Sequence, residues 1–459
     1  MNSIINSILP IKPTFIKDGK ASPNAFYGEN YDFESIAAWF ATGFFLGNNT
    51  FFKEVKKIPP SYEFINGELS GPNWEWHYKP KNISFNQALD EFSHIIQKLI
   101  NEDIKKEDKI ILPLSGGLDS RTLAACSIKF KNLYSYSYEF NGGTEEIKYA
   151  EQIANALNLK FKKYFIRSGY FWRVIEKIAD CNQCFIESTH SRPWAVIDEV
   201  SKLGNKFLLG HGGDFLFNND NIKSSLDQDE QVNFIIKKIV KNDGAEIAEL
   251  LWNEWGLNGN FMDYFKDLIY RYLSEIKIDD LNSKFRAFKA MHYIPNWSNM
   301  GMKVFYQWND ISVPYFSDDM CKFICTIPEN YLAERKLQIE FLKRKNPILA
   351  QIPWQAYDLN LYNYKFFNSI YFHKRVIRKI KSTINGKKIL RNWELQFLGE
   401  NNDEKIKDWF FNKNLMNDLI PNKIYKNYYE KFKNKPLDYA HSLSMLLTSI
   451  LFNKRKNNV

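Results

Sequence analysis

The sequence lacks the features that mark secreted and membrane proteins. Its 459 residues include only five cysteines, too few for the disulfide framework of a small secreted domain. No stretch approaches the roughly 18 apolar residues that a membrane span needs. The opening segment, MNSIINSILP, is too short and too polar for a signal peptide. Internal repeats and low-complexity tracts are missing as well. These absences predict a cytoplasmic protein without an integral membrane segment.

Two pairs of cysteines have spacings that also occur in zinc sites. Cys181 and Cys184 form a CxxC pair, and Cys321 and Cys325 form a CxxxC pair. The first pair ends a helical pattern, and the two pairs lie far apart in the chain. We therefore favour buried free thiols over a metal site.

The composition is that of a folded protein with a basic balance. Hydrophobic residues make up 44% and charged residues 25% of the chain, which excludes a disordered chain. Lysine and arginine total 62 against 53 acidic residues, a formal charge of +9. That excess suits an anionic partner but does not say which one. A chain of this length is too long for one ordinary core, so we expect two or three domains.

The pattern along the chain predicts three regions. Residues 1–82 contain short apolar runs and turn signals, which indicate a small α+β module. Residues 83–358 open with a helix capped by Ser84 and Gln87, and strands and helices then alternate from Lys109 to Gly210. That alternation predicts an α/β fold with a doubly wound parallel sheet. Residues 359–459 are mainly helical and basic.

A glycine-rich turn joins the first strand of the alternating region to its helix. Ser115-Gly116-Gly117-Leu118-Asp119-Ser120 would present bare backbone N–H groups and the positive end of a helix, which is a phosphate site. A carboxylate repels phosphate unless a cation lies between them, so we assign Asp119 as a magnesium ligand. Neither a Walker A loop nor a GxGxxG pattern is present. The alternative is an ordinary glycine turn that begins a helix.

These residues resemble a known family. Ser115 to Ser120 after a hydrophobic strand resembles the pyrophosphate loop of the N-type ATP pyrophosphatases, in particular the asparagine synthetase branch. Weaker elements follow in the family's order: Glu146 to Ala150, Ser188-Thr189, Leu209 to Asp214, and Pro314 to Asp318. The fold that this resemblance implies is the adenine nucleotide alpha-hydrolase type.

The resemblance implies a nucleotide site and a reaction. Leu114 and Tyr138 would lie against the adenosine of ATP, and Asp119 and Asp214 would bind Mg²⁺. The pyrophosphate would be held by loop residues, namely Ser115, Gly116, Gly117 and Ser120, with Gly210 beside them. A substrate carboxylate would attack the α-phosphorus to give an acyl-adenylate and pyrophosphate, and an amine would then form the amide and release AMP.

The sequence departs from this family at its catalytic positions. His211 stands where asparagine synthetases carry Glu and β-lactam synthetases carry Tyr. It could accept the amine proton or merely bond a neighbouring backbone group. Asp310 could orient His211, or it could be a solvated loop residue. The family's lysine for the second step falls on Gln355, which leaves Lys336 and Lys365 as candidates because they lie nearby.

The N-terminal region resembles only the last part of a glutamine amidotransferase domain. It begins Met1-Asn2-Ser3 rather than with the nucleophilic cysteine of that domain, so we expect no glutamine hydrolysis in cis. We expect a small-molecule, sugar-acid or peptide carboxylate as substrate, the settings of polysaccharide amidation and of lasso peptide cyclases. The alternative is a catalytically inactive nucleotide-binding scaffold.

Two further features of the sequence bear on its partners. The basic charge suggests RNA modification, but no RNA-binding motif accompanies it, so we expect no nucleic-acid partner. Near the C-terminus, Leu443, Leu446, Leu447 and Ile450 form an apolar stripe ahead of Lys454-Arg455-Lys456. This pattern is typical of a helix docked on the body, and peripheral contact with a membrane surface is the alternative.

Overall fold

The structure of the chain is a computed structural model that describes most of the sequence. The described residues are 3–220, 222, 225–368, 394–412, 415 and 419–457. The predicted C-terminal region, 359–459, is therefore described in part.

The N-terminal module is a small α+β unit, as its turn-rich sequence predicts. Six short strands form two antiparallel sheets, in the orders β1-β5-β6 and β3-β2-β4. They are β1 (Ile4–Ile5), β2 (Phe15–Lys17), β3 (Lys20–Ser22), β4 (Lys56–Lys57), β5 (Glu63–Ile65) and β6 (Glu68–Ser70). One helix, Phe33–Thr42, begins where the Asp32 carboxylate accepts the Ser35 N–H. It ends at Gly43, whose φ of 86° suits glycine.

A five-stranded parallel sheet forms the centre of the molecule. Its strands are β7 (Ile110–Pro113), β8 (Leu133–Phe140), β9 (Lys160–Ile166), β10 (Lys206–Leu208) and β11 (Asp310–Ser312). The strand order is β11-β10-β7-β8-β9, with every pair parallel. The order reverses on either side of β7, which confirms the predicted doubly wound sheet. Ligands of such sheets bind at the carboxyl ends of the strands beside this reversal.

The helices of the alternating region follow the predicted pattern. Helix Phe85–Asp103 begins with the predicted capping box of Ser84 and Gln87. It buries Leu89, Phe92, Ile96 and Leu99 along one face. The next helices are Leu118–Ser127, Ile147–Ala156, Tyr170–Asn182, Ile197–Val200 and Gly213–Leu216.

The rest of the described chain is mainly helical, as predicted. Its α-helices are Gln228–Ile239, Gly244–Glu254, Phe261–Ser274, Leu281–Phe288, Ile294–Tyr306, Asp318–Ile324, Glu329–Leu332, Lys336–Lys345, Pro347–Gln351, Glu400–Phe410, Asn422–Asn434 and Pro436–Asn457. Buried residues from Ile8 to Phe452 belong to one hydrophobic core. The division at residues 82 and 358 stays a prediction.

The last helix, Pro436–Asn457, is docked on the body. The predicted apolar stripe of Leu443, Leu446, Leu447 and Ile450 is buried along it. The basic residues that follow it are engaged too, since Lys454 pairs with Glu176 and Arg455 with Asp180. The buried stripe is therefore not available for contact with a membrane surface. Among the described helices, none has both the length and the apolar character to cross a bilayer.

All five cysteines are buried free thiols, as predicted. Burial raises the pKa of both the Cys181 and the Cys184 thiol to about 12. Thiolates are the form that binds zinc, so these residues are poor ligands. Within the described parts of the chain, no group of three or more His, Cys, Asp or Glu side chains could hold a metal ion.

Candidate active site

The predicted phosphate loop lies at the carboxyl end of β7, the central strand. The Ser120 hydroxyl accepts the Ser115 N–H at 3.1 Å, and the Ser115 hydroxyl accepts the Gly117 N–H at 3.2 Å. Helix Leu118–Ser127 starts from Gly117 without a side-chain cap, so its first N–H groups remain available. A Cβ on Gly116 would come within 2.6 Å of the Gln355 Cβ and 2.9 Å of the Tyr149 Cβ. Only glycine fits there.

A cavity of about 450 Å³ opens over this edge of the sheet. Eight of the predicted site residues line it: Leu114, Ser115, Asp119, Ser120, Tyr138, Gly210, His211 and Asp214. Gly116 and Gly117 lie in the loop beside it. The structure thus brings the predicted nucleotide and metal residues together from three strand ends.

Asp119 is hydrogen-bonded by two residues that lie far away in sequence, at the start of helix Lys336–Lys345 and just before it. The Arg335 guanidinium donates to Asp119 Oδ1, and Gln338 Nε2 donates to the same oxygen at 3.0 Å. Burial raises the pKa of the Asp119 carboxyl, while Arg335 opposes this rise and the neighbouring Asp214 adds to it. A Cβ on Gly213 would overlap Asp119 Oδ1, so glycine at this position is what lets the carboxylate come so close.

The pair of Asp119 and Asp214 fits a magnesium ion. Both carboxylates line the cavity beside the phosphate loop, and the charge of Asp214 adds to the rise in the pKa of Asp119. Mg²⁺ is usually held by one or two carboxylates together with substrate phosphates. This donor set has the hard oxygens and the number of ligands that such a site requires.

His211 faces the cavity as a neutral imidazole. Burial lowers its pKa to about 4, and Asp214 only partly opposes this shift. A second histidine, His190, lies in the same wall, and burial lowers its pKa well below the usual range. The His190 ring lies 3.8 Å from the Trp297 ring, centroid to centroid. The cavity therefore offers two uncharged imidazoles at neutral pH.

Asp310 does not reach this site. It is the first residue of β11 and pairs with Lys206 at the start of β10, whereas the cavity lies at the other ends of these strands. Its side chain is exposed. The predicted role of orienting His211 is thus contradicted, because Asp310 lies at the wrong edge of the sheet.

Neither lysine candidate lines the cavity either. Lys336 Nζ lies over the ring of Phe85 at 4.6 Å, and Lys365 is exposed at the surface. Gln355, the residue at the family's lysine position, does lie against the loop. Its N–H donates to the Gly116 carbonyl at 3.2 Å, and its side chain donates to the Glu145 carbonyl at 3.4 Å.

The remaining residues of the site were missed from the sequence. Glu146, His190, Arg192 and Trp297 line the cavity, and Arg335 and Gln338 lie behind Asp119. The sequence does contain a signal for Glu146, because Glu146 begins the family-like element that runs to Ala150. The others belong to irregular segments or distant helices that carry no local pattern.

The comparison with protein families agrees with this geometry. The model of the asparagine synthase family matches residues 92–336, more than half of the chain. The chain belongs to the asparagine synthase family. The matched segment runs from helix Phe85–Asp103, through all five strands of the parallel sheet, to the first residue of helix Lys336–Lys345. A comparison with curated proteins finds no match.

Membership of the asparagine synthase family sets the general class of activity. The chain is a member of an ATP-dependent amide ligase family. The phosphate loop, the carboxylate pair and the cavity all lie within or at the border of the segment matched to that family.

Proposed function

We propose that the protein is an amide ligase that adenylates a carboxylate with ATP and Mg²⁺ and then transfers the acyl group to an amine. The reaction releases pyrophosphate in the first step and AMP in the second. The observation that carries the proposal is the placement of Asp119 and Asp214 on the same cavity as the loop from Ser115 to Ser120. That arrangement offers N–H donors, hydroxyls and a cation site to one polyphosphate.

Each group has a role in this scheme. Leu114 and Tyr138 contact the adenosine, and the loop N–H groups and hydroxyls bind the β- and γ-phosphates. Mg²⁺ held by Asp119 and Asp214 would neutralise charge on the leaving pyrophosphate. Binding both substrates in one cavity aligns the carboxylate with the α-phosphorus, which supplies much of the rate.

His211 is proposed as the acceptor of the amine proton. An attacking amine loses a proton as the C–N bond forms, and a base in its neutral form must receive it. Because burial lowers the His211 pKa to about 4, the imidazole is unprotonated throughout the neutral range. Its basicity is correspondingly weak, so it takes the proton only as the C–N bond forms, because bond formation makes the N–H of the attacking nitrogen far more acidic.

The amine is proposed to come from a source other than glutamine hydrolysed by this N-terminal module. Residues 1–82 contain no cysteine, the nucleophile that such amidotransferase domains use. The carboxylate is a small molecule, a sugar acid or a peptide, and cytoplasmic location and magnesium dependence belong to the same proposal.

An ATP–pyrophosphate exchange assay tests the proposal. The purified chain is incubated with ATP, Mg²⁺, labelled pyrophosphate and panels of sugar acids, amino acids and peptides. Exchange that needs both a carboxylate and Mg²⁺ supports adenylation. Asp214→Asn is expected to abolish it, and Asp310→Asn, on the far edge of the sheet, is the matched control that retains it. Phosphate release instead of AMP formation would overturn the proposal.

The second candidate is a nucleotide-binding scaffold without turnover. The observation that favours it is Gln355, which carries no charge at the family's lysine position, while Lys336 and Lys365 lie away from the cavity. Magnesium-dependent binding of ATP without exchange or AMP formation for any carboxylate would favour the scaffold.

A further inference from the structure

Arg192 lies in the wall of the cavity. It lies in the short 3-10 helix Arg192–Ala195, between the helices that follow β9 and precede β10. Among the described residues that line the cavity, it is the only lysine or arginine, against three carboxylates: Asp119, Glu146 and Asp214.

The guanidinium of Arg192 belongs to a half-buried side chain in the cavity wall. Among the described residues, no carboxylate lies within 4.0 Å of it, and its side chain donates no hydrogen bond. Its charge nevertheless shifts the pKa of several groups that line the cavity. It opposes the rise in the pKa of Tyr138 and of Glu146, and it adds to the lowering of the His190 pKa.

These neighbours lie in two parts of the cavity lining. Tyr138 belongs to the predicted adenosine side, and His190 belongs to the wall beside His211. Glu146 lies near the phosphate loop, since the side chain of Gln355 opposes the rise in the Glu146 pKa and also lies against Gly116. A guanidinium at this position has free N–H donors. They can bind an anionic group that lies between the adenosine side of the cavity and the wall beside His211.

We propose that Arg192 binds the α-phosphate of ATP, stays with it in the acyl-adenylate, and supplies the positive charge that Gln355 lacks. This inference rests on the proposed function. When the amine attacks, the C–N bond forms and the C–O bond to the phosphate breaks. The leaving AMP takes the electron pair, and the amine proton goes to His211. Arg192 neutralises the charge that collects on the AMP phosphate, and a planar fork suits two of its oxygens.

Arg192 is tested with ligands that differ only in the phosphate. Binding of adenosine, AMP and α,β-methylene-ATP with Mg²⁺ is measured by calorimetry on the full chain. Arg192→Gln is expected to weaken AMP binding about 10- to 100-fold, the range for a lost charge-assisted contact. Adenosine binding is expected to stay within about twofold. Arg192→Lys, which keeps the charge without the fork, is expected to lie between the two.

Two further variants separate this role from a structural one. Arg173→Gln removes an arginine from the neighbouring helix outside the cavity and is expected to bind AMP like the wild type. If Arg192 only balances the Glu146 charge, the double variant Glu146→Gln/Arg192→Gln would regain AMP affinity. We expect it to remain weak.

The possible failures can be told apart. If the wild type does not bind α,β-methylene-ATP with Mg²⁺, the proposed function fails and the inference fails with it. If the wild type binds AMP and Arg192→Gln binds it equally well, the role of Arg192 alone is overturned. An equal loss for adenosine and AMP would also overturn it, because a phosphate contact cannot weaken a ligand without phosphate.

Discussion

Arg335 donates to the Oδ1 atom of Asp119 from a backbone in the left-handed region, with a φ of 63°. The residue before it, Glu334, has a φ of 54°. Two consecutive residues other than glycine in this region cost roughly 1–3 kcal/mol each. The surrounding fold keeps both residues in this conformation. As a result, Arg335, which directly precedes helix Lys336–Lys345, and Gln338 in that helix both donate to one carboxylate oxygen.

We expect Arg335→Gln to weaken the magnesium dependence of nucleotide binding. Arg335 lowers the Asp119 pKa and fixes one of its oxygens, which leaves the other oxygen for the cation. Loss of such an outer contact typically costs about 10- to 100-fold in metal affinity. The measurement is the Mg²⁺ concentration at half-maximal binding of α,β-methylene-ATP.

Arg344→Gln is the control for Arg335→Gln. It removes an arginine from the same helix, where it pairs with Asp90 and both side chains are largely exposed. It is expected to leave the magnesium dependence unchanged. Tighter magnesium binding by Arg335→Gln would instead mean that Arg335 competes with the cation for Asp119.

A lysine at position 355 is expected to compensate for the loss of Arg192. Gln355 lies against Gly116 and donates to the Glu145 carbonyl, so a lysine there would place an ammonium beside the loop. In the Arg192→Gln background, Gln355→Lys is expected to recover AMP affinity by about tenfold. Gln355→Met is the uncharged control. An equal gain from methionine would show that the effect is packing rather than charge.

Much of the fold could be predicted from local sequence patterns. Strand β8, a run of eight residues, lies within the segment where the sequence predicts alternating strands and helices. The three residues of β11 are too few for any periodicity. The sequence therefore leaves open whether Asp310 reaches the active site or is a solvated residue, and only the register of β11 shows that it lies at the far edge of the sheet.

The candidate site could be predicted only where it is local in sequence. The loop from Ser115 to Ser120 is one continuous segment, so its geometry follows from its own residues. The contact of Arg335 with Asp119 joins residues 216 positions apart, and no local rule fixes such a distance. Arg192 lies in a four-residue 3-10 helix, where periodicity carries no signal.

We expect Lys57→Met to stabilise the protein at neutral pH. Lys57 is 5% exposed, and among the described residues its Nζ has no hydrogen-bond partner. Burial lowers its pKa to about 7, against an ordinary value of about 10.4. Between the folded and the unfolded pKa of Lys57, the unfolded chain binds a proton that the folded chain lacks. Lys57 therefore makes the free energy of unfolding of the wild type rise with pH, by about 1.4 kcal/mol per pH unit.

The measurement for Lys57→Met is urea unfolding of both proteins between about pH 7 and pH 9.5. The advantage of the variant is expected to be several kcal/mol at pH 7 and to shrink as the pH rises. Taking the difference between the two proteins cancels the titration of other groups. A constant difference across this range would mean that Lys57 keeps an ordinary pKa.

Phe452→Ala is expected to destabilise the fold by about 3–5 kcal/mol. Its ring stacks on Phe51 of the N-terminal module at 3.8 Å between centroids, and 4% of the residue is exposed. Lys454→Ala, two positions on, removes a surface ion pair with Glu176 and a contact over the Trp409 ring, and it is expected to cost about 1 kcal/mol. Equal urea midpoints for the two variants would contradict the docking of this helix.

The family-like Ser188-Thr189 element is tied to the last helix. The Ser188 N–H donates to the Thr448 hydroxyl at 3.1 Å, and the Thr189 and Ser444 hydroxyls lie 3.3 Å apart. His190 and Arg192 follow directly along the chain. The segment that carries this part of the cavity wall is therefore supported from outside by the last helix. We expect a variant truncated before Pro436 to bind nucleotide more weakly than the full chain, because the segment with His190 and Arg192 loses that support.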